Sequence, residues 1–149
     1  MSLEKQINDD IKAAMLAKEK TKLESLRAIK AAILLEKTKD GSETIADEAV
    51  VKIIGKLVKQ RKESAEIYAQ QNRPELAENE LAEIAGMEPY LPKQLSEAEI
   101  EMAVKEVMAQ VGASGPQDMG KVMGVATKQL AGQADGRVVS EIVKRLLNQ

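Results

Sequence analysis

The chain has 149 residues, of which 44% are hydrophobic and 31% are charged, and its formal net charge is −2. This balance is typical of a folded protein of one domain or two small ones. The chain has no Cys and no His, which excludes disulfides, thiolate chemistry and the side chain most used as a neutral-pH base or metal ligand. It has no apolar run of about 20 residues and no signal-peptide pattern, so we expect a cytoplasmic protein with no membrane partner.

Helical periodicity begins at the first residues. Apolar side chains at three- and four-residue steps predict an amphipathic first helix that includes Leu3 and Ala14. Thr21, with Glu24 three residues on, predicts the cap of a second helix, which the stretch 39–42 breaks. Its expected inner stripe is Leu23, Leu26, Ile29, Ile33 and Leu34.

Two more helices are predicted before residue 90. The third begins near Thr44 or Asp47 and runs for about 25 residues, with Gly55 as a weak point inside it. Pro74 suits the first turn of the fourth, and Gly86 is expected to end it. The positions expected to face inward are Val50, Ile54, Leu57, Val58, Ala65 and Tyr68 in the third helix and Leu76, Leu81 and Ile84 in the fourth.

The stretch 90–96 interrupts this pattern. Pro89 and Pro92 lack an N–H group and push the residue before each of them out of the helical region, so no helix runs through. Ser96 then opens a new helix, with Glu99 at the capping-box spacing. Since Tyr90, Leu91 and Leu95 are apolar, we interpret the stretch as a packed connector between two domains, although an ordinary interhelical loop has the same spacing.

We therefore predict an all-α protein, with a helical domain at 1–92 and a small three-helix domain at 93–149. Gly112 is expected to end the fifth helix, Gly132 the sixth, and Asp135 is expected to cap the seventh. No segment alternates convincingly with period two, so no sheet is expected. The inner stripes are Ile100, Ala103, Val104, Val107, Met108 and Val111 in the fifth helix and Val138, Val139, Ile142, Val143, Leu146 and Leu147 in the seventh.

The charges are segregated along the chain. The net charge is +4 over residues 18–39 and +4 over 50–73, but −7 over 74–101 and +2 over 112–149. Basic blocks on separate helices are able to form a phosphate-binding face. The alternative is that they are solvated faces that balance the acidic block.

One glycine motif lies in the predicted sixth helix. Gly115 with Gly120 and Lys121 resembles the start of a P-loop, but Val122 follows where Ser or Thr would bind Mg²⁺, and no strand precedes it. The stretch 120–124 is better interpreted as a helix face with two small positions. These positions favour close helix–helix packing, or the approach of an RNA backbone that Lys121 would meet at a phosphate.

A second motif is the tight corner formed by residues 132–137. Asp135 is expected to cap the helix, and the N–H groups at the helix start are suited to a phosphate, with Arg137 beside them. A plain interhelical turn explains the same residues.

The composition does not favour a catalytic function. No nucleophile–base pair involves Cys or His, the carboxylates lie on outer faces, and we expect neither a cofactor nor a metal. Two Tyr residues do not make a platform for stacking single-stranded bases. What remains is recognition of a folded RNA by shape and phosphate, or recognition of a protein.

Three stretches together carry a resemblance to a known family. Residues 90–96, 118–124 and 134–139 resemble the YqeY family, and 60–64 fits its N-terminal half. The last third also resembles the tail of GatB, the subunit of glutamine-dependent tRNA amidotransferases that holds mischarged Glu-tRNA or Asp-tRNA. The resemblance implies two helical domains, of which the C-terminal one is of GatB-tail type and binds tRNA in GatB.

The resemblance also implies site residues. The positions that match the tail motif are Gly120, Lys121, Gly124, Asp135, Gly136 and Arg137, and we add Lys144 and Arg145 as basic neighbours. Gln133 departs from the motif, in which Arg is usual, so one basic contact is missing. No counterpart of the amidase or kinase residues is present, and amidotransferase activity, a carbon–nitrogen ligation with glutamine as amide donor, would need partner subunits.

Two functions remain open at this point. The first is a non-catalytic module that binds tRNA or associates with amidotransferase or aminoacyl-tRNA synthetase components. The second is a helical protein-binding adaptor without an RNA role, whose acidic stretch 74–101 would be its docking face.

Overall fold

The computed structural model of the chain describes residues 2–149, and 79% of the chain is helical with no strand in the described range. The prediction of an all-α fold is confirmed. The α-helices are α1 (Leu3–Leu16), α2 (Lys20–Asp40), α3 (Asp47–Gln70), α4 (Pro74–Met87), α5 (Glu97–Val111), α6 (Met119–Gln129) and α7 (Gly136–Leu147). Short 3₁₀ turns lie at Glu88–Tyr90 and Pro116–Asp118. The helices form two compact units, Met1–Leu91 and Pro92–Gln149.

The first unit packs α1 to α4 around one aliphatic core. Ser2 begins α1 by accepting a hydrogen bond from the Lys5 N–H, and the Leu3 N–H donates to the Asp47 carboxylate at 2.8 Å, which ties the starts of α1 and α3 together. Both bonds satisfy N–H groups that a helix start leaves without a partner. The buried core consists of Ile7, Ile11, Ala14, Leu26, Ile29, Ile33, Val50, Ile54, Val58, Ile84 and Met87.

Helix α2 differs from its prediction in two respects. It begins at Lys20, and its N-cap residue Glu19 makes no side-chain capping bond, so Thr21 lies inside the first turn and does not cap the helix. Leu34 was expected inside but is 49% exposed, and Leu35 is 72% exposed. Each residue turns the helix by about 100°, so the step from the buried Ile33 to Leu34 carries the side chain away from the core.

Helix α4 continues past the glycine that was expected to end it. Gly86 lies inside α4, where α4 approaches α2 at Ser25. The single proton of the buried Ser25 hydroxyl is shared between the backbone carbonyls of Glu83 (2.9 Å) and Thr21 (3.2 Å). A Cβ on Gly86 would lie 2.7 Å from the Ser25 Oγ, so the glycine is required by helix packing. Leu81, expected to face inward, is 55% exposed.

Helix α3 has 24 residues, close to the expected length, and begins at Asp47. Four of its apolar residues are buried, while Leu57 and Tyr68 are half-buried. Arg61 turns toward α4, where its Nε donates to Glu83 Oε2 at 2.9 Å. Gly55, by contrast, has no atom of another element within 4 Å of where a Cβ would stand.

The segment between the units is tied down at both ends. The Tyr90 hydroxyl donates to the Asp10 carboxylate at 2.5 Å, and Tyr90 and Leu91 pack against the first core. Burial, together with the hydrogen bond and charge of Asp10, raises the pKa of Tyr90 far above its ordinary value. At the other end, Ser96 and Glu99 form the predicted capping box at the start of α5, with both reciprocal bonds present.

The second unit packs α5, α6 and α7 around its own core. Gly112 ends α5 with a left-handed φ of 69°, and Asp135 caps α7 by accepting from the Arg137 N–H, as predicted for both. The Leu95 N–H donates to the Gln133 carbonyl at 2.9 Å, which joins the segment before α5 to the corner before α7. The buried core is Ile100, Val104, Val107, Val122, Ala126, Leu130, Val139, Ile142, Val143, Leu146 and Leu147.

Replacing Gly55 or Gly86 with Ala should have opposite effects on stability. Gly55→Ala should raise the free energy of unfolding by up to about 1 kcal/mol, because Ala is the better helix former and its methyl group meets open space. Gly86→Ala should lower it by about 1–3 kcal/mol, because the methyl group overpacks the Ser25 contact. Urea unfolding of both variants checks this, and the same sign for both would contradict the packing described here.

Candidate nucleic-acid interface

The outer face of α6 is built around two glycines. Val122 and Ala126 are fully buried, and Gly120 and Gly124 lie on the opposite side of the helix, four residues apart and exposed. A Cβ built on either glycine would have no atom of another element within 4 Å. Close helix packing, the alternative left open by the sequence, therefore does not explain these glycines.

Lys121 lies on the flank of this glycine face and is already engaged. Its Nζ donates to the carbonyl of Val111 at 3.3 Å, at the C-terminal end of α5. A cation is favourable there because the last carbonyls of a helix lack partners and carry the negative end of its dipole. The contact is exposed and weak, so Lys121 is able to exchange it for a phosphate.

Lys128 extends the same flank and was missed from the sequence. It follows Gly124 by four residues and Lys121 by seven, so all three lie along one side of α6. The structure shows no ion pair for Lys128 within residues 2–149. The helical spacing from Lys121 is the signal that would have found it.

The corner before α7 holds a carboxylate where a phosphate was expected. Asp135 Oδ1 accepts from the Arg137 N–H at 3.1 Å, so the start of α7 already has a negative group. Arg137 is exposed and lies 3.6 Å from Glu141. Gly136 is exposed, with open space at its Cβ position. The Arg137 side chain is available to an anion, whereas the helix start is not.

Lys144 and Arg145 point to different neighbours. Lys144 lines a shallow cavity of about 220 Å³ with Pro116 and Met119, which places it beside the start of α6. Arg145 NH2 instead donates to Glu101 of α5 at 3.2 Å. The two adjacent residues therefore lie on different sides of α7.

The eight predicted site residues do not form a single cluster. Gly120, Lys121 and Lys144 lie near the start of α6, whereas residues 135–137 come after its end. The helix between these two places is about 16 Å long at 1.5 Å per residue. Arg145 is directed to α5. The sequence of residues 92–149 holds seven basic and seven acidic residues, so the surface offers local cations without a net positive field.

Two carboxylates hold the loops of this unit. The Ser114 and Gly115 N–H groups donate to Asp118 Oδ2, and these bonds, with Lys121 nearby, hold the pKa of Asp118 below its ordinary value. The Ser96 N–H has the same effect on the pKa of Glu99, with a smaller effect of Lys93. In both cases the hydrogen bonds favour the charged form.

The groups that this surface offers to a ligand are exposed cations and an exposed helix backbone. Within residues 2–149, no group of three or more Asp or Glu side chains is placed to hold a metal ion, and no helix has the length and apolarity needed to cross a membrane. The glycine face of α6 exposes its backbone, and exposed cations flank it. This arrangement suits the sugar–phosphate backbone of a nucleic acid, which is bound through charge and shape.

Comparison with known proteins gives a family and several relatives. Residues 4–147 match the family model described as Yqey-like protein. The protein named "Altered inheritance of mitochondria protein 41, mitochondrial" from Lachancea thermotolerans is 30% identical over 74% of this chain and 60% of its own length. The protein of the same name from Pyrenophora tritici-repentis is 28% identical over 95% of this chain and 79% of its own. The chain thus spans about 60% of the length of the first of these relatives.

A further match is to part of a tRNA amidotransferase. A glutamyl-tRNA(Gln) amidotransferase subunit of Thermococcus gammatolerans is 36% identical over 51% of this chain, but over only 12% of its own length. The cytoplasmic location expected from the sequence is corrected by the names of the relatives, four of which are called mitochondrial. The cellular location could not be predicted from the amino-acid composition, because composition reflects how the chain folds and not where the protein is delivered.

The two loop carboxylates predict a specific acid sensitivity. Because their pKa values are lower in the folded than in the unfolded chain, they stabilise the fold above the ordinary values of 3.8 and 4.5. This stabilisation is lost as the pH falls through the folded-state values. The variant Asp118→Asn/Glu99→Gln should therefore melt below wild type at pH 6, and the difference should shrink toward pH 2.5. Melting curves over this range test it, with Glu106→Gln, an exposed carboxylate of α5, as the control. A difference that does not change with pH would contradict this account.

Proposed function

We propose, since the chain belongs to the YqeY family, that it is a non-catalytic helical protein that binds tRNA and is associated with tRNA amidotransferases. Its similarity to an amidotransferase subunit whose name includes glutamyl-tRNA(Gln) supports a tRNA ligand. The matched region is only a small part of that subunit, so a binding role is favoured over its enzymatic reaction.

The observation that carries the proposal is the open glycine face of α6. A glycine in the middle of a helix costs about 0.5–1 kcal/mol relative to Ala, and Gly124 gives no packing contact in return; Gly120, in the first turn of α6, also meets open space. An external backbone that approaches the helix closely supplies a reason for both. Lys121, Lys128 and Lys144 would then meet its phosphates.

Binding of this kind should be weak and sensitive to salt. To bind phosphate, Lys121 has to break its contact with the Val111 carbonyl, and Arg137 its contact with Glu141. Each of these exposed contacts is worth only about 0–1 kcal/mol. Three or four phosphate contacts made by the second unit contribute about −2 to −4 to the slope of log K against log salt. The near absence of aromatic side chains favours a folded RNA over a single strand.

A protein-binding adaptor is the second candidate. Six of the seven large hydrophobic side chains that are exposed in the described chain belong to the first unit, among them Leu16, Leu34 and Leu35. The exposed acids Glu75 and Glu78 on α4 lie in the same unit. Exposed apolar and acidic side chains are suited to contact with a helical partner protein, and they do not contribute to binding a polyanion.

Measuring the binding of bulk tRNA at about 50 mM and 200 mM salt separates the two functions. Gly124→Leu should weaken binding about tenfold or more, because its side chain keeps phosphate away from the helix and a charge-assisted contact is worth about 1.5–3 kcal/mol. Lys121→Glu/Arg137→Glu should weaken binding further than Gly124→Leu does, because it removes two phosphate contacts and adds two negative charges, while the helical spectrum stays unchanged.

Ala109→Leu is the matched control, since it adds a similar side chain at an exposed position of α5 in the same unit. It should bind as wild type does. If wild type fails to bind at the lower salt, the tRNA hypothesis is rejected and the adaptor takes its place. If wild type binds but Gly124→Leu binds as well as Ala109→Leu, the glycine face of α6 is not the binding site.

A further inference from the structure

A row of lysines runs along the outer face of α3 in the first unit. Lys52, Lys56 and Lys59 follow one another at steps of four and three residues, and Lys62 lies beside them on the next turn. All four are exposed, and the side of α3 that carries Val50, Ile54 and Val58 faces the core. We call these four residues the α3 lysine row.

Acidic residues of α3 lie only at the two ends of the row, Asp47 and Glu48 before Lys52 and Glu63 and Glu66 after Lys62. No Asp or Glu occurs from residue 49 to residue 62, and Arg61, within this stretch, turns inward to Glu83. Lys59 has an interaction within the protein, so the argument does not rest on it. Lys52, Lys56 and Lys62 span about 15 Å along the helix axis, at 1.5 Å per residue.

A glycine lies in the middle of the row. Gly55 follows Lys52 by three residues and precedes Lys62 by seven, so it lies on the same side of the helix. A Cβ at this position would have no atom of another element within 4 Å. Gly55 is therefore a second feature, independent of charge, that favours close approach of an external backbone to this face.

We infer that the α3 lysine row is a second RNA-binding surface, which contacts the phosphates of the tRNA bound by this protein. The inference rests on the proposed function and places a large part of the electrostatic attraction in the first unit. Each strand of a duplex presents a phosphate about every 3.4 Å along its axis, so a 15 Å row meets several of them. An apolar partner surface is disfavoured, because none of the exposed large hydrophobic residues lies between Lys52 and Lys62.

Neither unit has a net positive charge, so a polyanion would be attracted by local clusters of cations. Residues 92–149 hold seven basic and seven acidic residues and residues 1–91 hold 15 and 17, whereas the stretch 49–62 holds five basic and no acidic residues, of which Arg61 is paired with Glu83. Polyanion affinity is set mainly by the number of phosphates that lysine and arginine neutralise. Binding through the second unit alone would therefore be the weaker mode.

The test compares tRNA binding by the full-length protein with that of Lys52→Gln/Lys56→Gln/Lys62→Gln. Removing three phosphate contacts should make the slope of log K against log salt less negative by about 2 to 2.7. We expect affinity at about 50 mM salt to fall at least tenfold. The control, Lys12→Gln/Lys20→Gln/Lys30→Gln, removes the same charge from exposed positions of α1 and α2 and should keep the wild-type slope.

Gly55→Leu provides a test that does not change charge. It should leave the protein folded, as checked by its melting temperature, and weaken tRNA binding severalfold. If wild type binds tRNA while both α3 variants match the control, this inference is wrong and the α6 site stands. If the α3 variants lose affinity and the α6 variants do not, the inference holds and the site proposed on α6 is wrong. Absence of binding by wild type rejects both.

Discussion

The close approach of α2 and α4 at Ser25 and Gly86 organises the first unit. The Ser25 hydroxyl shares its proton between one carbonyl of each helix, and the missing side chain of Gly86 lets the two backbones come near enough for this. A side chain at residue 86 would push α4 away from α2, and with it Glu83, which holds Arg61 of α3. The ion pair between Glu83 and Arg61 is one contact through which a shift of α4 would reach α3, the helix that carries the exposed lysines.

The contrast with the other helical glycines is the basis of the functional account. Gly86 is explained within the protein, whereas Gly55, Gly120 and Gly124 meet open space although glycine weakens a helix. Each of the three lies within a few residues of exposed lysines on its own helix. The proposed ligand, with its charged, extended backbone, would explain why open glycines and exposed lysines occur together, whereas solvation of the helix surface would explain the lysines alone.

Much of the fold followed from local patterns in the sequence. The capping box at Ser96 and Glu99, the left-handed Gly112 and the cap at Asp135 are short-range features whose residues specify their own geometry. The errors came from interactions between distant residues. Gly86 was expected to end α4 because the contact with Ser25, 61 positions earlier, is invisible in the sequence. Leu34 was expected inside because an aliphatic residue beside a buried stripe looks the same whether or not a helix covers it.

The candidate site was predictable in part, for a similar physical reason. The sequence identified the glycines and cations of the second unit, and helical spacing would have added Lys128. It did not reveal that Lys121 binds the end of α5, or that Arg145 turns to Glu101, because both partners lie on another helix. These contacts separate residues that the resemblance to the tail motif and the excess of basic residues had grouped on one face.

The most direct test of the central claim, that the open glycine faces contact RNA, is an amide NMR titration of the full-length protein with tRNA. The account predicts that the largest chemical-shift changes occur at residues 120–124 of α6 and 52–62 of α3. The amide of Gly86, inside the α2–α4 contact, should change little and serves as the internal reference. The claim would be contradicted if tRNA binds but the amides of Gly55, Gly120 and Gly124 do not shift. It would also be contradicted if the largest shift changes lie on α4 near Glu75 and Glu78.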